Sequence, residues 1–425
     1  MTDHYKYKCS DCGSEIASNE IENNQIYLCP KCGKLEKNKP LVGVLEIVYD
    51  YEEIKSKISK DNFLKNNAGK FWKYPYLWPL KFINDKLDGI SETQLNKLSL
   101  IENPISEINY SNNSVKIFDD SRNPTLSYKD RASSLVALKA IQLGIKEISA
   151  ASTGNAGSSL AGICARLGMQ SHIFVPKNIP ESKRIQIQSF GANLYVVNGD
   201  YDQAFDLCLE VSKKKNWYNR NTAFNPLTIE GKKSSVYDMF ISMKGNLPEN
   251  IFAPVGDGVI ISGIYKGIKE LLKLGWIEKV PKLFAVQSEG SSAVVDYIEG
   301  GKFEYKSANT IADSISAGAP RNLYMAAQAV ISTNGKGLKV SDEEIISAQK
   351  VLCQKFGILA EPAAAASFAG YKKISENKDI QGDSILMITG NGLKDISSLK
   401  NWNHEVEIRT EKEWKAILNK KSFEI

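Results

Sequence analysis

Histidine is nearly absent from this chain, with three residues in 425, which removes most of the usual imidazole proton-transfer chemistry. His4 and His404 lie towards the ends, and His172 sits in an apolar run that reads as a buried strand. A Ser–His–Asp arrangement therefore has little support. No stretch of 18 apolar residues occurs, so no membrane-spanning helix is expected. Met1-Thr2-Asp3-His4-Tyr5-Lys6 lacks the apolar core of a secretory signal, and the expectation is a cytoplasmic protein with no membrane partner. Neither charge is in strong excess: Lys+Arg 54 against Asp+Glu 49 leaves +5, too thin a density to imply nucleic acid. Nucleotide signatures are missing too. After Gly256-Asp257-Gly258 the next glycine is Gly263, too far along for a dinucleotide turn. Gly231-Lys232-Lys233-Ser234 lacks the upstream glycine of a phosphate-binding loop.

What remains is an ordinary globular composition, 42% hydrophobic and 24% charged, which excludes a mainly disordered chain. The length allows two to three domains with sizeable cores.

Four of the seven cysteines crowd the N-terminus as two Cys-x-x-Cys pairs, Cys9/Cys12 and Cys29/Cys32, with sixteen residues between them. That spacing suits a four-thiolate zinc site, and about forty residues cannot hold a stable apolar core without such a staple. Gly13 and Gly33 follow the second cysteine of each pair and relieve crowding where amides turn towards sulfur. The alternatives are two disulfides or a redox dithiol. A cytoplasmic setting disfavours the first, and the duplicated pair disfavours the second. Four protein thiolates leave no position open for water, so the zinc would be structural. Residues 1–40 carry six Lys and six Asp+Glu, and no basic face for nucleic acid is evident. Cys164, Cys208 and Cys353 read as small buried hydrophobes.

From about Lys116 short apolar runs alternate with helical patterns. Strands are expected at Glu147–Ala151, His172–Val175, Leu194–Val197, Phe252–Val255, Leu283–Val286 and Ile385–Ile388. Helices are expected over about 156–167, 201–215, 342–356 and 361–373, with another opened by Pro180. This alternation predicts an α/β fold on largely parallel sheets. The Lys-rich stretch 50–70 reads as a solvated helical face.

Three glycine turns follow predicted strands: Ser152-Thr153-Gly154-Asn155-Ala156-Gly157, Val255-Gly256-Asp257-Gly258 and Thr389-Gly390-Asn391-Gly392. In open α/β sheets ligands sit there, at the carboxyl ends of strands beside helix N-termini. Lysine is the strongest nucleophile candidate. Asn123-Pro124-Thr125-Leu126-Ser127-Tyr128-Lys129-Asp130-Arg131 places Lys129 just before an apolar helix. The positive end of a helix lowers the pKa of an amine and frees it to attack an aldehyde. Taken alone, Lys129 reads more readily as a surface salt-bridge partner of Asp130 than as a nucleophile.

The segment Asn123–Arg131 resembles the pyridoxal-phosphate lysine motif of the threonine synthase family, in the fold-type II (tryptophan synthase β-like) superfamily. Five further segments match in order: Ser152–Gly157; Asn225-Pro226 with Glu230-Gly231; Pro254–Gly258; Glu361-Pro362-Ala363-Ala364-Ala365; and Thr389–Asp395. The resemblance covers roughly residues 100–400, and an N-terminal four-cysteine ribbon also occurs in some proteins of this kind. It implies two open, mainly parallel sheets flanked by helices, a homodimer and a small amino-acid substrate. It also implies a zinc ribbon at 1–40, a large cofactor domain at 41–132 and 229–425, and a small α/β domain at 133–228.

By resemblance, Lys129 would carry pyridoxal 5'-phosphate as an internal aldimine and then serve as the proton-transferring base. Asn155 would hydrogen-bond the cofactor's phenolic oxygen and Thr389 its pyridine nitrogen. Gly256, Asp257, Gly258, Val259 and Ile260 would hold the cofactor phosphate. Ser152, Thr153, Gly154 and Ala156 would receive the substrate carboxylate. The implied reaction converts O-phosphohomoserine and water to threonine and phosphate. The alternatives are β-elimination of the serine or threonine dehydratase type, β-replacement on an activated serine, and a regulatory protein that kept the fold without activity. Intact Lys129, Asn155 and Thr389 speak against the last.

The chain departs from the family pattern at four places. Thr228 stands where an Arg for the substrate phosphate is expected, and Ala223 where a small polar residue is expected. Leu126 replaces a glycine of the lysine turn, and Asp257 puts a carboxylate into the phosphate loop. Arg131, Arg184 and Arg220 are the candidates for a replacement charge.

Overall fold

The computed structural model describes residues 4–111, 113–152, 154–199, 201–376, 380–403 and 406–418. Two parallel-rich sheets carry the body. The smaller has four parallel strands in the order Asn193–Val197, Gln170–Pro176, Glu147–Ala151, Tyr218–Asn219. The larger has six, in the order Lys336–Val340, Lys282–Ser288, Asn250–Pro254, Ser384–Ile388, Asn113–Asp119, Ile105–Tyr110. Only the last pair is antiparallel. The central strands Asn250–Pro254 and Ser384–Ile388 are buried along their whole length, as strands covered on both faces must be. The expected α/β fold is present, and its strands lie where the apolar runs placed them.

The Lys-rich stretch 50–70 is not one helix. It forms two, Tyr51–Lys57 and Lys60–Leu64, because polar residues cap each start. Asp50 accepts from the N–H groups of Glu52 and Glu53, and Ser59 Oγ accepts from Asn62 N.

The N-terminal residues form an antiparallel sheet in which Tyr5–Cys9 lies between Glu15–Ala17 and Leu45–Tyr49. It is fastened to the body by a buried polar knot. Glu22 accepts from the hydroxyls of Tyr5 and Tyr7 and, at 2.9 Å, from Lys139 Nζ on the helix Asp130–Gln142. Lys129 stands at the start of that same helix.

The turn before Lys129 is held from the far end of the chain. Tyr128 N donates to Thr389 O at 2.9 Å, and Asn391 N donates to Leu126 O at 3.2 Å. Buried Lys394 donates to Thr125 O, Ser158 Oγ and Gln186 Oε1, tying the turn to the helices Asn155–Leu167 and Glu181–Ser189. Burial lowers the Lys394 pKa to about 8, while Glu361 and Asp130 oppose the shift. Leu126 keeps the left-handed backbone that a glycine would adopt freely, at φ 62°, and such a residue costs about 1–2 kcal/mol. The turn therefore survives the departure from the family pattern.

Candidate active site

The carboxyl ends of both sheets open onto one cavity of about 440 Å³. Its wall brings together Lys129, Ser152, Gly154, Asn155 and Ala156 from the smaller sheet's side. Gly256, Asp257, Gly258, Val259 and Ile260 face them from the larger. Thr389 is buried beside the lysine turn through its main-chain bond to Tyr128, and is not itself among the lining residues. Thr153 lies outside the described residues, as does His404. His172 is stacked on Trp217, with ring centroids 3.5 Å apart, and is bonded to Tyr195 and Glu147, away from this cavity.

Lys129 is desolvated, which lowers its pKa; Arg220 and Lys183 push the same way, and Glu361 and Asp257 oppose them. The net shift is towards the neutral, nucleophilic amine. Asn155 starts the helix Asn155–Leu167. Its Nδ2 donates to Glu361 Oε1 at 2.6 Å and to Ser314 Oγ at 3.1 Å, while its buried Oδ1 has no protein partner.

Val259–Lys273 begins at the cavity wall without a side-chain cap, so its first N–H groups are free to receive an anion. Its N-cap, Gly258, has φ 86°, and a Cβ there would come within 2.7 Å of Ala326 Cβ and 2.8 Å of Asn322 O. Asp257 does not spoil this cradle. Its Oδ1 accepts from Arg321 N, and burial raises its pKa, against the lowering pull of that N–H and of the Arg321 and Lys232 charges.

Ion pairs and hydrogen bonds close the cavity between the two sheet systems. Lys183 Nζ donates to Asp313 Oδ2 at 2.5 Å, and Arg321 pairs with Asp202. Asn155–Glu361 is the third such tie. Lys183, Asp313 and Arg321 carry no local signature and were not legible as site residues. Glu361 was visible in its motif, though with no role attached.

In the N-terminal sheet the sulfurs of Cys9, Cys12, Cys29 and Cys32 all lie within 4.8 Å of one another. The N–H groups of Asp11 and Cys12 point at Cys9 Sγ at 3.4 Å. Gly33 is required by space, since a Cβ there would sit 2.5 Å from Cys29 O.

The profile of the family described as "Pyridoxal-phosphate dependent enzyme" matches residues 88–390. This chain belongs to that family. A threonine synthase of Methanocaldococcus jannaschii is 35% identical over 396 residues, covering 91% of this chain and 92% of that protein. One from Methanosarcina acetivorans is 32% identical over 399 residues, covering 92% of each chain. The fold is also that of threonine deaminase isoform 2 from Solanum lycopersicum, with a TM-score of 0.58 at 18% identity over 87% of this chain and 96% of that one.

The pyridoxal-phosphate enzyme presents a donor set that fits its cofactor. A buried amine of lowered pKa can meet the aldehyde, a bare helix N-terminus the phosphate, and the Asn155 amide, with its unpartnered oxygen, the ring. If Val259–Lys273 receives the phosphate, Gly258→Ala will displace the cradle. Spectrophotometric titration of the apoprotein should then show cofactor affinity weakened about tenfold or more, with the far-UV circular dichroism unchanged. Unaltered affinity would contradict the assignment.

Proposed function

We propose that this enzyme is a threonine synthase, converting O-phosphohomoserine and water to threonine and phosphate. The observation that carries the reading is likeness to threonine synthases over 91% of this chain, and it is supported by the convergence of the lysine, asparagine and glycine motifs on one cavity. Bound there, pyridoxal phosphate supplies the electron sink that makes protons near the substrate nitrogen acidic.

The protein's own groups do the rest. Lys129 would hold the cofactor through Nζ, and the same nitrogen, as a free amine, would hold and move protons. Main-chain N–H groups of Gly256–Ile260 take the cofactor phosphate, Asn155 orients the ring, and Thr389 is assigned to the pyridine nitrogen. Ser152, Thr153, Gly154 and Ala156 receive the substrate carboxylate. Protons leave Cα and Cβ, and the Cγ–O bond breaks with phosphate keeping the electron pair. Cα and Cγ regain protons, and water adds its hydroxide at Cβ while its remaining proton goes to the released phosphate. Residues 133–228 act as the small domain, and the Lys183–Asp313 and Arg321–Asp202 pairs hold it against 229–425 to exclude bulk water. A cytoplasmic homodimer belongs to the same reading.

Purified enzyme loaded with cofactor should release phosphate and threonine from O-phosphohomoserine one for one, and Lys129→Ala should release neither. One observation favours a second reading: Thr228 is not a phosphate ligand, since its hydroxyl is engaged within its own turn. Ammonia or a replacement product from serine-type substrates, with no phosphate released from O-phosphohomoserine, would establish β-elimination or β-replacement instead.

The four cysteine sulfurs are assigned to one structural zinc ion, because four thiolates this close repel unless a cation joins them. Elemental analysis should find one zinc per chain. Cys29→Ser should lose the metal and lower the Tm by several degrees. Protein free of zinc with unchanged Tm would overturn the assignment.

A further inference from the structure

Thr228, Lys232 and Arg220 have exchanged the roles their positions suggest. Thr228 is fully buried, and its hydroxyl donates to Asn225 O at 2.7 Å and accepts from Ala223 N at 3.1 Å. It stabilises the left-handed residue Ala223 (φ 64°) and has no donor left for an anion. Arg131 is also engaged, bonded through Nε and Nη2 to Asp120 and through Nη1 to Asp238. Arg184 lies at the surface against Glu181.

Lys232 differs from all of these. It stands one helical turn after Thr228 and lines the cavity with 1% of its surface exposed. Its Nζ donates to Thr228 O at 2.9 Å, and among the described residues it pairs with no carboxylate. Arg220, fully buried, gives Nη1 to Thr222 Oγ1 at 2.8 Å and Nε to Ser133 Oγ at 3.4 Å. Its Nη2 has no partner. Thr222 lines the cavity too. Two neighbouring buried cations with no paired carboxylate among the described residues are unfavourable by themselves. Burial and mutual repulsion drive the Lys232 pKa well down, with Asp257 opposing, and burial lowers that of Arg220 to about 10. A dianion in the cavity beside Lys232 and Thr222 would offset that cost.

We infer that Lys232 and Thr222, the latter held from behind by Arg220, form a second anion subsite in the cavity, separate from the helix N-terminus that takes the cofactor phosphate, and that it binds the phosphate group of the substrate. This assignment rests on the proposed reaction for the identity of the substrate but not for the existence of the subsite. The cation expected at position 228 is thus supplied one turn later, by Lys232, while Arg220, just after the strand Tyr218–Asn219, holds Thr222 in place.

The test uses inorganic phosphate with the cofactor-loaded enzyme, measured by isothermal titration, alongside steady-state kinetics on O-phosphohomoserine. Lys232→Gln should weaken phosphate binding about tenfold or more and raise KM for O-phosphohomoserine in parallel. Cofactor affinity and Tm should hold, and Lys232→Arg should recover much of the loss. Phosphate binding that depends on Lys232 in an enzyme that makes no threonine would uphold the subsite while ending the threonine synthase reading. Equal phosphate affinity in wild type and Lys232→Gln would overturn the inference. So would loss of cofactor affinity in Lys232→Gln, which would give the lysine to the cofactor phosphate instead.

Discussion

The site depends on how one strained turn is held. Leu126 sits in a left-handed conformation that its side chain disfavours, and the turn it makes sets the direction of Lys129. The local main-chain bond of Leu126, from its N to Asn123 O at 2.7 Å, is reinforced from far along the chain. The turn is clamped by main-chain bonds from Thr389 and Asn391 and by the Lys394 ammonium, all more than 260 positions away in sequence. Asp130 closes it from the other side, accepting from Thr125 N at 2.8 Å and from Ser159 Oγ at 2.7 Å. The reactive amine is therefore positioned by the completed tertiary structure, and the lysine turn, the asparagine helix and the C-terminal glycine turn can be ordered only together.

Around that clamp the charges follow one logic. Where a buried cation has to be inert it is saturated: Arg131 meets two carboxylates, and Lys233 meets Glu230 and Glu270. Lys129 and Lys232, which line the cavity, pair with no carboxylate among the described residues, and Arg220, behind the lining residue Thr222, keeps a free Nη2. Stripping partners from a buried charge destabilises the protein by itself, and such groups persist where a ligand completes them. The N-terminal module joins the same framework. Its Glu22 grips the helix that begins at Lys129, and Leu41 N and Lys39 O bind Arg321, whose N–H in turn bonds the Asp257 carboxylate.

Much of this was legible in the sequence, because it is local. Glycine turns after apolar runs announce strand ends and helix starts, and the Cys-x-x-Cys spacing announces a cluster of thiols. Six ordered motifs fixed the superfamily. What stayed hidden depends on where a side chain points after folding. Arg131, Arg184 and Arg220 look alike in sequence, yet one is neutralised, one is at the surface and one is buried with a free donor. Lys183, Asp313 and Arg321 enter the site only through contacts across the cleft. Thr228 looked like a lost ligand and proved to be a staple for its own turn. The stretch 50–70 broke in two because its caps outweighed its helical periodicity.

Four lysines, Lys129, Lys183, Lys232 and Lys394, lie in or around the site, buried or desolvated, and the account stands on one of them holding the cofactor. Reductive trapping of the cofactor-loaded enzyme with borohydride, followed by peptide mapping in a mass spectrometer, distinguishes them directly. The account predicts a single modified peptide carrying the cofactor on Lys129. Modification of Lys183, Lys232 or Lys394 in its place would contradict it.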